Sequence, residues 1–159
     1  MLRPTNSENF MGALTVTSQL ALRDIAWERE LEPGEVFFNQ GEPSTTIGIV
    51  IDGHLDLEAM NPAGTPVLIQ TWSPGNLVGH VTALRRAPRF GTAVASTQAA
   101  MLVVDTNQFI ELLATRPDMY PPLVDQLCSW VGLTVASAPG TAEVIDVSAD
   151  RVERLTHPL

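Results

Sequence analysis

Residues 46–60 read TIGIVIDGHLDLEAM. Ile47, Ile49 and Ile51 share one face of an extended chain, and Leu55 and Leu57 resume the two-residue alternation beyond Asp52-Gly53. Asp-Gly is a hairpin-type turn pair, so this stretch predicts two strands joined at residues 52 and 53. Outward from it, Val36/Phe38, Val67/Ile69 and Met101–Val104 read as further strands, with turns at NPAGTP (61–66) and Pro74-Gly75. Eight of the eleven glycines fall between Gly34 and Gly91, the spacing of many short strands and tight turns.

Helical periodicity flanks this block. Leu14 to Trp27, with Leu22, Ile25 and Ala26 apolar, predicts an N-terminal helix over about residues 11–28. Thr106 is placed to cap a short helix carrying Phe109, Leu112 and Leu113 and ended by Arg116-Pro117. A third helix is expected from near Asp118, with Tyr120, Leu123, Val124, Leu127, Cys128, Val131 and Val135 on one face, stopping by Pro139-Gly140. The order predicts one α+β domain over residues 1–138, an antiparallel β-roll or jelly roll (about 30–105) flanked by N- and C-terminal helices (the latter 106–138). Residues 139–159 form a tail.

The chain has 159 residues and 45% apolar content, enough for one core. A formal charge of −9 argues against direct nucleic-acid binding, which needs a basic face. No run of 18 uncharged apolar residues exists and no secretory signal opens the chain, so a cytoplasmic protein without a membrane partner is expected. The single cysteine, Cys128, excludes an internal disulfide and a cysteine-built metal site. G-x-S-x-G, H-E-x-x-H and Walker-type motifs are absent, so no enzyme active site is expected.

Charge is distributed unevenly. From Ala59 to Val104 there is no Asp or Glu in 46 residues, yet that window holds His80, Arg85, Arg86 and Arg89. The middle of this acidic chain is therefore locally positive.

LEPGEVFFNQGEP (31–43), IGIVIDGHLDL (47–57) and WSPGNLVGHVTAL…APRFGTAVA (72–84, 87–95) resemble, in that order, the opening, the hairpin and the phosphate-binding cassette of the cyclic nucleotide-binding domain family. The resemblance covers about Glu30 to Trp130. It implies an eight-stranded roll whose cassette binds a cyclic nucleotide, cyclic AMP or cyclic GMP, through an arginine on the cyclic phosphate and a glutamate on the ribose. Arg89 matches the arginine and Gly79 the glycine before the glutamate. The glutamate position is His80, Phe90 stands where a small or hydroxyl residue is usual, and Asn76 replaces an acid. Gly79, His80, Val81, Thr82, Arg89, Phe90 and Gly91 are the ligand-binding candidates, whereas Arg85 and Arg86 read as solvated loop charges. His80 is open to four roles: ligand contact, pH-sensitive switch, haem ligand or pocket filler.

Two functions follow. One is a regulatory sensor that takes a cyclic nucleotide or another small anionic ligand at Arg89 and signals through its C-terminal helices. The alternative is a ligand-free domain, its pocket plugged by His80 and Phe90, kept for protein interaction or oligomerisation. With no DNA-binding module downstream, output is expected through a protein partner or a homodimer formed by residues 118–138.

Overall fold

The computed structural model describes residues 9–127. Two four-stranded sheets, antiparallel throughout, pack face to face. Sheet A runs β1 (Trp27–Leu31), β8 (Ala99–Asp105), β3 (Thr46–Asp52), β6 (Leu77–Val78); sheet B runs β2 (Val36–Phe38), β7 (Thr92–Ala95), β4 (Leu55–Met60), β5 (Pro66–Trp72). The helices are α1 (Phe10–Ala13), α2 (Val16–Ile25), α3 (His80–Leu84), α4 (Thr106–Thr115) and, after a 3₁₀ turn at Pro117–Met119, α5 over residues 120–127. This is the expected α+β roll with flanking helices.

Alternation along the strands sorts side chains into two cores. Val50, Met101 and Val103 of sheet A meet Leu55, Leu57, Trp72, Ala93 and Ala95 of sheet B. The other face of sheet A places Ile47, Ile49, Leu102 and Val104 against Phe10, Leu22, Phe109, Leu113 and Met119 of the helical layer. Both faces of β8 are thus covered, which explains why Met101–Val104 runs apolar without alternating. Ile51 leaves this pattern: a register shift between Val50 and Asp52 turns it outward, 37% exposed.

The Asp52-Gly53 turn is not a hairpin. β3 pairs with β8 and β6, β4 with β7 and β5, and no ladder joins β3 to β4. The turn instead carries the chain from sheet A to sheet B, beside the β7–β8 connection that does the same in reverse. Backbone bonds hold the two turns together, Ser96 donating to the His54 carbonyl at 3.0 Å. Gly53 sits there at φ 80°, and a Cβ would lie 2.1 Å from the Gln98 carbonyl oxygen, so both conformation and space require glycine.

Three helix expectations change. The N-terminal helix is two pieces: the Thr15 hydroxyl accepts from the Ser18 amide and restarts the chain as α2, and β1 takes Trp27 by pairing it with Val103. Asp105, not Thr106, caps α4, its carboxylate accepting from the amides of Asn107 and Gln108; the Thr106 hydroxyl donates to the Ser44 carbonyl instead. After Pro117, the 3₁₀ turn rotates the next helix so that Met119 and Leu123 are buried, while Tyr120 and Val124 are 45% and 51% exposed. Cys128, Val131, Val135, most of the 118–138 dimer seam and the 139–159 tail lie outside the described residues.

Candidate functional site

Between β6 and β7 the chain makes a short helix and a loop over the edge of the roll. Gly79, at φ 78°, turns β6 into α3, and a Cβ there would lie 2.5 Å from Arg89 Nη1. Asn76 holds the preceding turn by accepting from the Ser73 amide at 2.8 Å, a task its carboxamide performs without the expected acid. After α3 the loop is strapped to residues 41–44. The Arg89 amide donates to the Glu42 carbonyl and the Arg89 carbonyl accepts from the Gly41 amide, both at 2.8 Å. Ser44 Oγ donates to the Ala87 carbonyl at 2.6 Å.

Clamped at its backbone, Arg89 turns its side chain inward, where it is 3% exposed. Nη1 donates to the Gly79 carbonyl at 2.8 Å and to Thr82 Oγ1 at 3.4 Å; Nη2 donates to the Thr46 carbonyl at 2.6 Å and to Thr46 Oγ1 at 3.3 Å. The guanidinium carbon stands 4.0 Å from the centre of the Phe38 ring, a cation–π contact. Burial pushes the Arg89 pKa down to about 10, partly opposed by the Glu42 charge, so the group stays cationic at neutral pH. Carbonyl dipoles and an aromatic face thus replace the water this cation has left.

His80 is the first residue of α3 and 4% exposed. Among the described residues no atom bonds either ring nitrogen, and burial lowers its pKa to about 3, so the imidazole is neutral. Phe90 is buried in the inter-sheet core, with Val81 packed against it. Thr82 Oγ1 accepts from Arg89 and lies 2.8 Å from Ser44 Oγ, to which it donates, since the one Ser44 proton is on the Ala87 carbonyl. Gly91 approaches β4 so closely that a Cβ would lie 2.8 Å from the Glu58 carbonyl oxygen.

His80, Gly79, Val81, Thr82 and Phe90 line one slot, together with Phe38, Leu57, Gln70 and Trp72. Its volume, the open mouth included, is about 330 Å³. The predicted residues therefore do come together, except that Arg89 lies behind the slot and Gly91 beside it. Arg85 and Arg86 are exposed, as expected, Arg86 bonding Asn107 Oδ1 at 2.7 Å from a left-handed backbone at φ 58°. Sequence reasoning missed Thr46, Phe38, Gln70 and Trp72. Thr46 acts chiefly through its carbonyl, which no residue type betrays; Phe38 read only as a strand residue and Trp72 only as the first residue of the cassette motif.

These side chains, as placed, do not fit a cyclic nucleotide. The guanidinium that would meet its phosphate is bonded to main chain, and the residue at the place of the glutamate for its ribose is an imidazole. Among the described residues, no group of His, Cys, Asp or Glu is placed to hold a metal ion, and no helix is long and apolar enough to cross a membrane.

A roll of two four-stranded sheets, a short helix between β6 and β7 and helices at both ends define an effector-type regulatory domain. The chain belongs to the cyclic nucleotide-binding domain family, whose sequence pattern matches residues 28–116. It is similar to acetyltransferase Pat of Mycolicibacterium smegmatis, 32% identical over 93 residues, which are 58% of this chain and 27% of that protein. Among solved structures, the catabolite activator protein of Thermus thermophilus matches with a TM-score of 0.68 at 20% identity, over 76% of this chain and 56% of that one. The regulatory subunit of a cAMP-independent protein kinase A from Trypanosoma brucei matches with a TM-score of 0.67 at 20% identity, over 93% and 48%. The chain spans between 25% and 46% of the curated relatives it matches.

Proposed function

We propose that this chain is a regulatory domain that works with its cassette closed to cyclic nucleotides and passes its state to a protein partner through its helical layer. The observation that carries this reading is the double bond of Arg89 to the Thr46 and Gly79 carbonyls. Freeing the guanidinium for a cyclic phosphate breaks two charge-assisted hydrogen bonds, at roughly 1.5–3 kcal/mol each. The missing glutamate withholds a further contact of about the same size, together roughly a thousand-fold or more in affinity. Binding of a cyclic nucleotide at useful concentration is thereby opposed. The likeness to a kinase regulatory subunit described as cAMP-independent agrees with a regulatory use of this fold without that ligand.

The partner is a separate protein or the remainder of a longer one, since the curated relatives are longer than this domain. Calorimetric titration with cyclic AMP and cyclic GMP tests the reading. No saturable heat is expected from either at millimolar concentration. Saturable binding that Arg89→Ala abolishes would show instead that the arginine leaves its carbonyls for the phosphate, and the sensor reading would replace this one.

A further inference from the structure

We propose that the surface groove between residues 41–45 and residues 86–88 is the docking site for an acidic segment of this chain itself, residues 141–150 (TAEVIDVSAD). The proposal is independent of the closed-cassette reading, because the groove shares no residue with the slot.

Charge is the first argument. Most arginines of the described chain are already answered by an acid or buried: Arg29 pairs with Glu35 at 3.6 Å, Arg116 acts on Asp118, Arg23 adjoins Asp24 in α2, and Arg89 is enclosed. Arg85 and Arg86 are exposed, and among the described residues no carboxylate stands within 4.0 Å of either. The acids of the flanking segments face main chain instead. Glu42 accepts from the Asn39 amide at 2.6 Å, and Asp105 from the amides of Asn107 and Gln108. What holds Arg86 is neutral: it donates to Asn107 Oδ1 at 2.7 Å. A carboxamide orients the guanidinium without cancelling its charge and leaves its other N–H groups for a carboxylate.

The groove is the second. Pro43, Ala87 and Pro88 give it apolar walls, Ser44, Thr45 and Arg86 polar ones, and its volume, the open mouth included, is about 570 Å³. Its two sides are fastened to each other by the Ser44 hydroxyl on the Ala87 carbonyl and by the Gly41 amide on the Arg89 carbonyl. Between these fastenings Arg86 stands at φ 58°, a left-handed backbone uncommon for a residue with a Cβ. Such strain persists where the surroundings fix it, and here it keeps the guanidinium at the lip of the groove.

The occupant is the third. Residues 141–150 carry Glu143, Asp146 and Asp150 and no basic residue, interleaved with Val144, Ile145 and Val147. The acids answer the arginines, and the aliphatic side chains answer the proline walls. In a chain of formal charge −9, an acidic segment meets least repulsion beside the window from Ala59 to Val104, which holds no acid. The connection is long enough: the fifteen residues 128–142 reach at most roughly 50 Å, against a radius of gyration of about 14 Å for a domain of this size. A tether also supplies a high effective concentration, so a weak contact is populated. A segment seated here bridges the strap that clamps Arg89 and couples the chain beyond α5 to the cassette loop.

The test uses the full chain with a nitroxide on Ser148→Cys in a Cys128→Ser background, read by ¹⁵N amide spectra at low salt. The amides of Gly41, Ser44, Thr45, Arg86 and Ala87 are expected to lose roughly half or more of their intensity, selectively, as a tethered contact requires. Salt at about 0.5 M should reverse most of that loss, because exposed charges are screened. Arg85→Glu with Arg86→Glu should abolish it, and Glu143→Arg, Asp146→Arg and Asp150→Arg added to that pair should restore it. Broadening that is absent, spread evenly over the roll, or unaltered by charge reversal overturns the proposal. If Arg86→Glu does not fold, reversing the three acids in the otherwise unaltered chain carries the same test. Mixing ¹⁵N chain that lacks the nitroxide with unlabelled chain that bears it separates the sources. Broadening in that mixture assigns the groove to a second copy and overturns the proposal as well.

Discussion

Arg89 shows how a residue keeps its place in a motif while its bonds turn elsewhere. An arginine held open for a ligand contributes little to the stability of the free protein, so its removal is nearly neutral. Arg89 instead satisfies two carbonyls and covers Phe38 from within the fold. Arg89→Ala is therefore expected to lower unfolding stability on the order of 3 kcal/mol, from two charge-assisted bonds and an emptied site. Urea denaturation reads this as a lower midpoint at unchanged slope; an unchanged midpoint would return Arg89 to the role of a free anchor. His80 makes a pH prediction. Its folded pKa of about 3 lies below the ordinary 6.5, so as pH falls through 6.5 the unfolded chain takes up a proton that the folded chain refuses. Stability from this group is intact above 6.5 and lost between about 6.5 and about 3, with a slope of up to about 1.4 kcal/mol per pH unit. His80→Phe should flatten that acid limb, and equal slopes in both proteins would show that the ring is not buried neutral. The positions of this site were legible from the order of motifs, and so was the substitution at His80. The partners of Arg89 were not, because they are mainly backbone oxygens whose approach depends on the fold.

At the scale of elements, alternation announced the strands but not their neighbours. Ile47, Ile49, Leu55 and Leu57 give the same pattern whether β3 and β4 pair or part, and Asp-Gly serves either case. What decides is the β7–β8 connection, 43 positions along the chain from residue 54, which bonds to the same corner and bends both strand pairs from sheet A into sheet B. Gly53→Ala tests that account. The left-handed backbone alone costs about 1–2 kcal/mol for a residue with a Cβ, and contact with the Gln98 carbonyl adds to it. Gly64 has φ 83° but open space around it, so Gly64→Ala should show the conformational cost alone. Thermal unfolding is expected to rank Gly53→Ala well below Gly64→Ala; equal values would mean that the corner yields easily. The cap of α4 was misread for a similar reason. Asp105 and Thr106 are both competent caps by residue type, and only the seating of the Thr106 hydroxyl on the Ser44 carbonyl leaves the role to Asp105.

For the whole molecule, sheet A is the shared wall: one face makes the inter-sheet core beneath the slot, the other carries the helices. A change at α3 therefore has a packed route to α4, through Ala83 and Phe109 in the same cluster. The two ends of the described chain are also joined. Asp118, at the turn into α5, accepts from Ser18 Oγ at 2.5 Å and from Thr15 Oγ1 at 3.2 Å, tying the start of α2 to the start of α5. The Ser18 hydroxyl is the main cause that holds the Asp118 carboxyl below its ordinary pKa, so this tie is present at neutral pH and released as pH falls through the lowered value. Nothing in the sequence marked it, since the partners are 100 positions apart and each residue is ordinary where it stands. If the helical layer is the output of the domain, this tie sets how freely α5 moves without touching the roll. Asp118→Ala is then expected to speed amide hydrogen exchange several-fold in the first turn of α2 and across residues 120–127, while the amides of β3 and β8 keep their wild-type protection. Exchange that rises equally in the sheets would show that the helices and the roll open as one unit, and that the domain has no separately movable output.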